Sequence, residues 1–459
     1  MEDNAHKNGL IHGPILEELI KLALPIMASA FLATAYNITD MAWIGMLGSK
    51  AVAGVGVGGM YAWLAQGLVI LARMGGQVHL GQAIGRGDKD SAIKYATASL
   101  QLVILFGILF GAMCLFCSEA LIGFYGLTDA ETIDYALVYL KITCGAILFS
   151  YISQTLTGLY TAQGDSRTPL KANVIGLVGN MILDPLLILG VGPIPKLGVA
   201  GAAIATVFAQ MLVLTVLLCD LGRKKRSANL LREVQLSVPV EKKYYLGVAK
   251  IGVPVALQSS VYCFISMVLT RLVGNYGEGA IATQRVGGQI ESLSWNTADG
   301  FAAAMNAFAA QNYGAGKLER VKKGYGISAV CMLLWGSLIA IAFLFLPRPI
   351  SEIFFHEADV VEVSVGYLMI IGISEPFMCL EIMAIGAISG MGNTKLCSII
   401  SIVLTGLRIP MAYALCGMGL GVEGVWWALT ITSILKGIIL HLAFQNCTKN
   451  RNNFFIKNH

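Results

Sequence analysis

Along this chain, runs of about 20 or more mainly apolar residues alternate with short polar connections. A helix needs about 20 such residues to cross a bilayer whose hydrocarbon core is about 30 Å thick. Twelve runs qualify, at 16–45, 51–72, 92–117, 133–158, 170–190, 198–221, 247–274, 280–309, 325–346, 361–388, 396–416 and 424–445. The pattern predicts an all-α integral membrane protein, because a helix bonds its own backbone N–H and C=O groups where no water is available.

Lys and Arg in connections collect on cytoplasmic sides. Counted by alternate connection, one side holds Lys7, Lys21, Arg73, Arg86, the run Arg223–Arg226, Lys317 and Lys449 among many others, and the other only Lys50, Lys196 and Arg348. Both termini are therefore expected in the cytoplasm of a multi-pass protein of the cell (plasma or inner) membrane. The first fifteen residues carry no apolar core or cleavage site of a signal peptide, so the first span is expected to direct its own insertion.

The longest and most basic connection divides the chain into a tail 1–14, an N-lobe 15–221 (spans 1 to 6), a linker 222–246, a C-lobe 247–445 (spans 7 to 12) and a tail 446–459. The halves repeat at an offset of 229 residues: Pro25 falls on Pro254, Gly48 on Gly277, Gly58-Gly59 on Gly287-Gly288, and Gly87 on Gly316. After a one-residue change Gly164 falls on Gly392, and Leu197-Gly198 meets Leu420-Gly421. An even number of spans per copy makes the repeat parallel, the arrangement of two-bundle transporters with a substrate path between bundles. Twelve helices in two six-helix lobes are predicted, and because both repeats lie in one chain, a functional monomer is expected.

Composition agrees: 56% of residues are hydrophobic and 13% charged, where soluble proteins have about 45–50% and about 25%. The net charge of +5 comes from residues in the connections, so it marks topology and not a nucleic-acid partner. Ten cysteines lie mostly within apolar runs, without the spacing of a disulfide frame or zinc site. Gly54-x-Gly56-x-x-Gly59 satisfies a dinucleotide fingerprint but lies inside span 2, where close helix contact explains it better. Gly314-x-Gly316-Lys317 lacks the Ser or Thr of a phosphate loop, so no nucleotide is expected.

Several segments together carry a resemblance. QAIGRGDKD at 82–90, its echo QNYGAGK at 311–317, GLYTAQGDSRTPL at 158–170, GAISGMGNTK at 386–395, Asp40 in span 1 and NMILDP at 180–185 resemble the multidrug and toxic-compound extrusion (MATE) family over residues 15 to 445, and its DinF-like branch most. The resemblance implies a secondary exporter that exchanges organic compounds for H+ or Na+, with no cofactor. It also implies that the matching positions Asp40, Asn180, Asp184 and Thr206 bind the coupling ion, as metal ligands if that ion is Na+.

The residues point the same way on their own. Asp40 lies deep in an apolar helix, where an ionisable group costs at least about 2.5–3.5 kcal/mol. Asn180 and Asp184 share a face of span 5, and Thr206 lies in span 6. Two carboxylates, an amide and a hydroxyl form an oxygen-only set suited to a hard cation or a proton. The competing reading is polar glue between helices. Against it, the repeat places Leu269, about Thr405, about Ile409 and about Leu429 at the corresponding positions, so the polar set belongs to one half.

Tyr36, Asn37 and Gln154 are candidates to hold an organic cation near Asp40. The C-half has its own intramembrane charges, Arg271, Arg285, Glu291, Asp299, Glu375, Glu381 and Arg408, which are read either as ion pairs or as a responsive cavity surface. Glu291, Asp299 and Glu381 join the candidate substrate residues on the second reading. The NorM-like branch uses an acid in span 7, and span 7 here has none. The histidines are dispersed and no catalytic constellation is present, so a membrane enzyme is the weaker alternative. A lipid-linked oligosaccharide flippase is the other, and a basic cavity would favour it.

Overall fold

A computed structural model of the protein describes residues 9–190, 195–222, 229–355 and 357–457. Lys7, the run Arg223–Arg226, His6, His356 and His459 lie outside the described residues. The helices are α1 Ile15–Gly45, α2 Ser49–Leu64, α3 Gln66–Arg86, α4 Lys89–Phe116, α5 Ala130–Gly145, α6 Ile147–Ala162, α7 Arg167–Pro185 and α8 Val199–Gly222. The second half supplies α9 Lys242–Gly274, α10 Glu278–Gly314, α11 Leu318–Phe345, α12 Ala358–Gly372, α13 Glu375–Gly390, α14 Thr394–Gly406, α15 Arg408–Leu415 and α16 Glu423–Lys457.

Among the described residues, nine helical stretches are long and apolar enough to cross a membrane, and two more crossings are bent pairs, α5 with α6 at 45° and α12 with α13 at 49°. The 37-residue α10 completes twelve. It carries Arg285, Glu291 and Asp299 along its middle, and these lower its hydropathy below that of the other spans.

The duplication is visible in the backbone. Gly48 and Gly277 have φ of 106° and 103°, Gly87 and Gly316 have 74° and 72°, and Gly164 and Gly392 have 87° and 84°. These left-handed values are open to glycine without the Cβ clash, which is why both copies keep glycine there. Each copy also has a π-helical turn after a proline-containing helix, Leu186–Gly190 following α7 and Cys416–Leu420 following α15.

Two units result, Ala28–Val253 and Met1–Met27 together with Pro254–His459. Their boundaries fall inside α1 and α9, within three residues of Pro25 and Pro254 and away from the 222–246 linker. Close approach at glycine explains these boundaries. In the first unit the start of α9 lies on α3, with the Val248 carbonyl against Gly75 and the Leu71 carbonyl against Gly252. In the second, Met27 fills the space left by Gly300. Gly54 and Gly58 serve the same end between α2 and α5: a Cβ would lie 2.6 Å from that of Tyr135 at the first and 2.9 Å from the Ala136 carbonyl at the second. Of the fingerprint-like glycines, Gly54 is thus a helix-contact residue, whereas a Cβ at Gly59 would make only an ordinary contact with Tyr139 at 3.8 Å and one at Gly56 would meet open space.

Candidate functional site

The polar positions of the first half meet within the Ala28–Val253 unit. α1 presents Tyr36 and Asp40, α7 presents Asn180 and Asp184, and α8 presents Thr206. Asp40 is buried, and Asn180 and Asp184 are fully buried. The Tyr36 hydroxyl and the Thr206 hydroxyl share a hydrogen bond of 3.1 Å. Asn180 Nδ2 donates to Asp184 Oδ1 at 3.2 Å, as residues one turn apart on a helix can. Asp40 and Asp184 interact as charges, and both act on Tyr36.

Three acceptor oxygens of this set, Asp40 Oδ1, Asp184 Oδ2 and Asn180 Oδ1, are buried and have no hydrogen-bond partner. An ionised carboxylate only accepts, so the set holds more acceptors than donors. A buried acceptor in that state is costly until a cation or proton supplies the missing partner. Pro185 directly after Asp184 adds to this, because it has no N–H for the carbonyl one turn earlier. Among the described residues no group of three or more His, Cys, Asp or Glu could hold a metal ion.

Tyr139 of α5 also belongs here. It lies within electrostatic reach of Asp40, Tyr36 and Asp184, and nothing in the sequence pattern singles it out. Asn37 is exposed, and Gln154 bonds Ser150 Oγ at 3.1 Å on its own helix. The positions related to this set by the repeat converge as well, but in an apolar cluster: Leu269 is buried there, with Ile409 and Leu429 packed against it. Both carboxylates and the Thr206 hydroxyl are thus replaced by aliphatic side chains in the second half, and only Thr405, buried at the place of Asn180, keeps an oxygen there.

The charges of the second unit are arranged differently. Glu381 is joined to Lys436 of α16 at 2.7 Å, both buried. Lys436 is a lone charge inside span 12, and that isolation was the signal by which sequence reading could have found it. Arg408 donates to Thr432 Oγ1 at 2.9 Å and Ser433 Oγ at 3.0 Å. Tyr367 donates to Glu291 Oε2 at 3.4 Å. Glu375, at the start of α13, is fully buried, and neither carboxyl oxygen has a hydrogen-bond partner, although the Ser294 hydroxyl lies beside it. Asp299, Arg271 and Arg285 are exposed.

The MatE family matches residues 25–186 and 254–414, one stretch in each half and most of the chain. The chain belongs to this family. As a MatE member it is a membrane transporter and not an enzyme. A relative from Thermotoga maritima, called a probable multidrug resistance protein NorM, is 28% identical over 439 residues, covering 94% of this chain and 92% of its own. A Shewanella oneidensis protein called an FAD transporter is 26% identical over 442 residues, covering 96% of each. The solved structure of a multidrug resistance MATE family transporter of the MOP superfamily in an outward-facing conformation overlays with a TM-score of 0.88 at 21% identity, over 97% of this chain and 99% of that one. The twelve-helix, two-lobed fold is therefore shared.

Proposed function

We propose that the protein is a secondary active multidrug exporter of the cell membrane, both termini cytoplasmic, that releases organic cations in exchange for inward H+ or Na+. Asp40, Asn180, Asp184 and Thr206 bind the coupling ion, and Tyr36, with Tyr139, closes the site. The observation that supports this most is the group of three buried oxygens without donors in the membrane-spanning part of one half. Such a set gains a partner when a cation or proton enters and loses it on release. Alternating access of the two lobes would expose it to each side in turn. Inward movement of one positive charge is favoured by about 2.3 kcal/mol per 100 mV.

The test is efflux of a fluorescent organic cation from proteoliposomes under separately imposed Na+ and H+ gradients. Efflux driven by one gradient and absent without either identifies the coupling ion. Efflux indifferent to both would defeat the antiport reading. Because one relative is called an FAD transporter, the flavin dinucleotide is included as an anionic substrate; its transport in preference to the cation would replace the substrate class and leave the ion site to be judged separately.

A further inference from the structure

The helices α11, α13 and α16 enclose a cleft of about 490 Å³ at the basic end of the second unit, a size within the range of about 300–1,000 Å³ typical of ligand sites. One wall is the α11 stripe Lys322, Gly326, Val330 and Leu333, residues spaced to share a helix face. The floor is Tyr325, whose ring stacks on Phe444 with centroids 3.9 Å apart and whose hydroxyl lies 2.8 Å from His441 Nδ1. His441 Nε2 is in turn 2.8 Å from the Gln445 amide nitrogen.

Chemistry and depth both change along the cleft. Lys322, near the start of α11, and Lys449, near the end of α16, are its two cationic lining residues, and no carboxylate is among the lining residues. Lys322 does pair with Glu319 at 2.7 Å, but this is an exposed contact one turn away on the same helix, a kind of pair that holds a lysine only weakly. Lys322 to Leu333 spans roughly 16 Å at 1.5 Å per residue, about half the hydrocarbon thickness of about 30 Å. Beyond the cleft, α11 continues as an exposed apolar stripe of Leu334, Leu338 and Ile341.

We propose that this cleft is a binding site for one anionic glycerophospholipid, with its phosphate between Lys322 and Lys449 and an acyl chain along Gly326, Val330 and Leu333. A lysine pair at headgroup level above an apolar slot one leaflet deep matches the two parts of such a lipid, and basic pockets between membrane helices commonly take anionic headgroups. The site is built from residues of the second unit only and does not rest on the transport cycle. With the orientation proposed above, it lies in the cytoplasmic leaflet.

The test is native mass spectrometry of the full chain released from detergent and titrated with phosphatidylglycerol or phosphatidylcholine of identical acyl chains. The wild type is expected to hold its first phosphatidylglycerol more tightly than its first phosphatidylcholine. Lys322→Gln and Lys449→Gln are each expected to weaken phosphatidylglycerol about fivefold, and to weaken phosphatidylcholine, whose choline offsets the phosphate charge, by less. Gly326→Leu is expected to lower retention of both lipids by filling the slot, since a Cβ at Gly326 meets only open space and folding is not at issue. Equal affinity for the two lipids in the wild type, or a phosphatidylglycerol preference that survives loss of both lysines, would overturn the proposal.

Discussion

Asn180 donates its side-chain Nδ2 to Asp184 Oδ1 at 3.2 Å, while Asp184 Oδ2 and the amide oxygen of Asn180 have no donor. The amide thus fixes the carboxylate in place without neutralising it. A group that is positioned but not satisfied is suited to taking up and giving back an ion.

Asp40→Asn and Asp184→Asn should each abolish gradient-driven efflux in proteoliposomes, while insertion and gel-filtration behaviour stay those of the wild type. Each replacement keeps the shape and removes the charge that the coupling ion answers. Wild-type rates in both variants would remove these residues from the mechanism.

The repeat supplies a second prediction. Because Leu269, Ile409 and Leu429 meet in an apolar cluster at the places of Asp40, Asp184 and Thr206, the oxygens are not required for packing this fold. Asp40→Leu should therefore raise the thermal unfolding midpoint in detergent and eliminate transport. Leu269→Asp should lower the midpoint, through a loss of stability of about 2.5–3.5 kcal/mol if the buried acid costs what intramembrane acids usually do. A large destabilisation by Asp40→Leu would make the polar set structural.

Much of this was legible in the sequence because the repeat is written in glycine. Gly48 and Gly277, or Gly87 and Gly316, align in sequence and then share φ within 3°. Asp40, Asn180 and Asp184 stood out because ionisable and amide groups are rare inside apolar spans. Other features carried no such mark. Tyr139 is aromatic and reads as core, and the π turns after α7 and α15 leave no trace in apolar periodicity. The unit boundaries in α1 and α9 depend on backbone contacts at Gly75, Gly252 and Gly300 that only the fold brings about. Lys436 was readable as a lone charge in span 12, but its partner Glu381 lies 55 residues away and spacing along the chain does not connect them.

The Glu381–Lys436 pair should behave as a buried ion pair does. Removing one partner, by Glu381→Gln or Lys436→Met, leaves the other charge uncompensated and should cost about 3–5 kcal/mol, whereas Glu381→Met with Lys436→Met should recover most of it. Thermal or denaturant unfolding of the three variants checks this. If the double replacement is as unstable as the singles, the pair does more than balance charge.

Outside the membrane, Lys50 reaches Asp129 at 2.9 Å and Glu131 at 3.0 Å, joining the start of α2 to that of α5. Asp129 also caps α5, accepting from the Thr132 backbone N–H at 2.9 Å and its hydroxyl at 2.7 Å. Lys50 first, and then Thr132, hold the Asp129 carboxyl down at about 2. A carboxyl depressed in the folded state stabilises that state above its unfolded pKa of about 3.9 and stops doing so as pH falls through about 2. Acidification from pH 5 to 2.5 should therefore lower the unfolding midpoint of the wild type more than that of Lys50→Gln, in which only Thr132 still depresses the carboxyl. Asp129→Asn keeps a capping oxygen and should flatten the dependence further. Both pairs of residues are solvent-exposed, so the differences should shrink as salt is added, and identical pH profiles in all three proteins would show that the bridge between α2 and α5 contributes nothing.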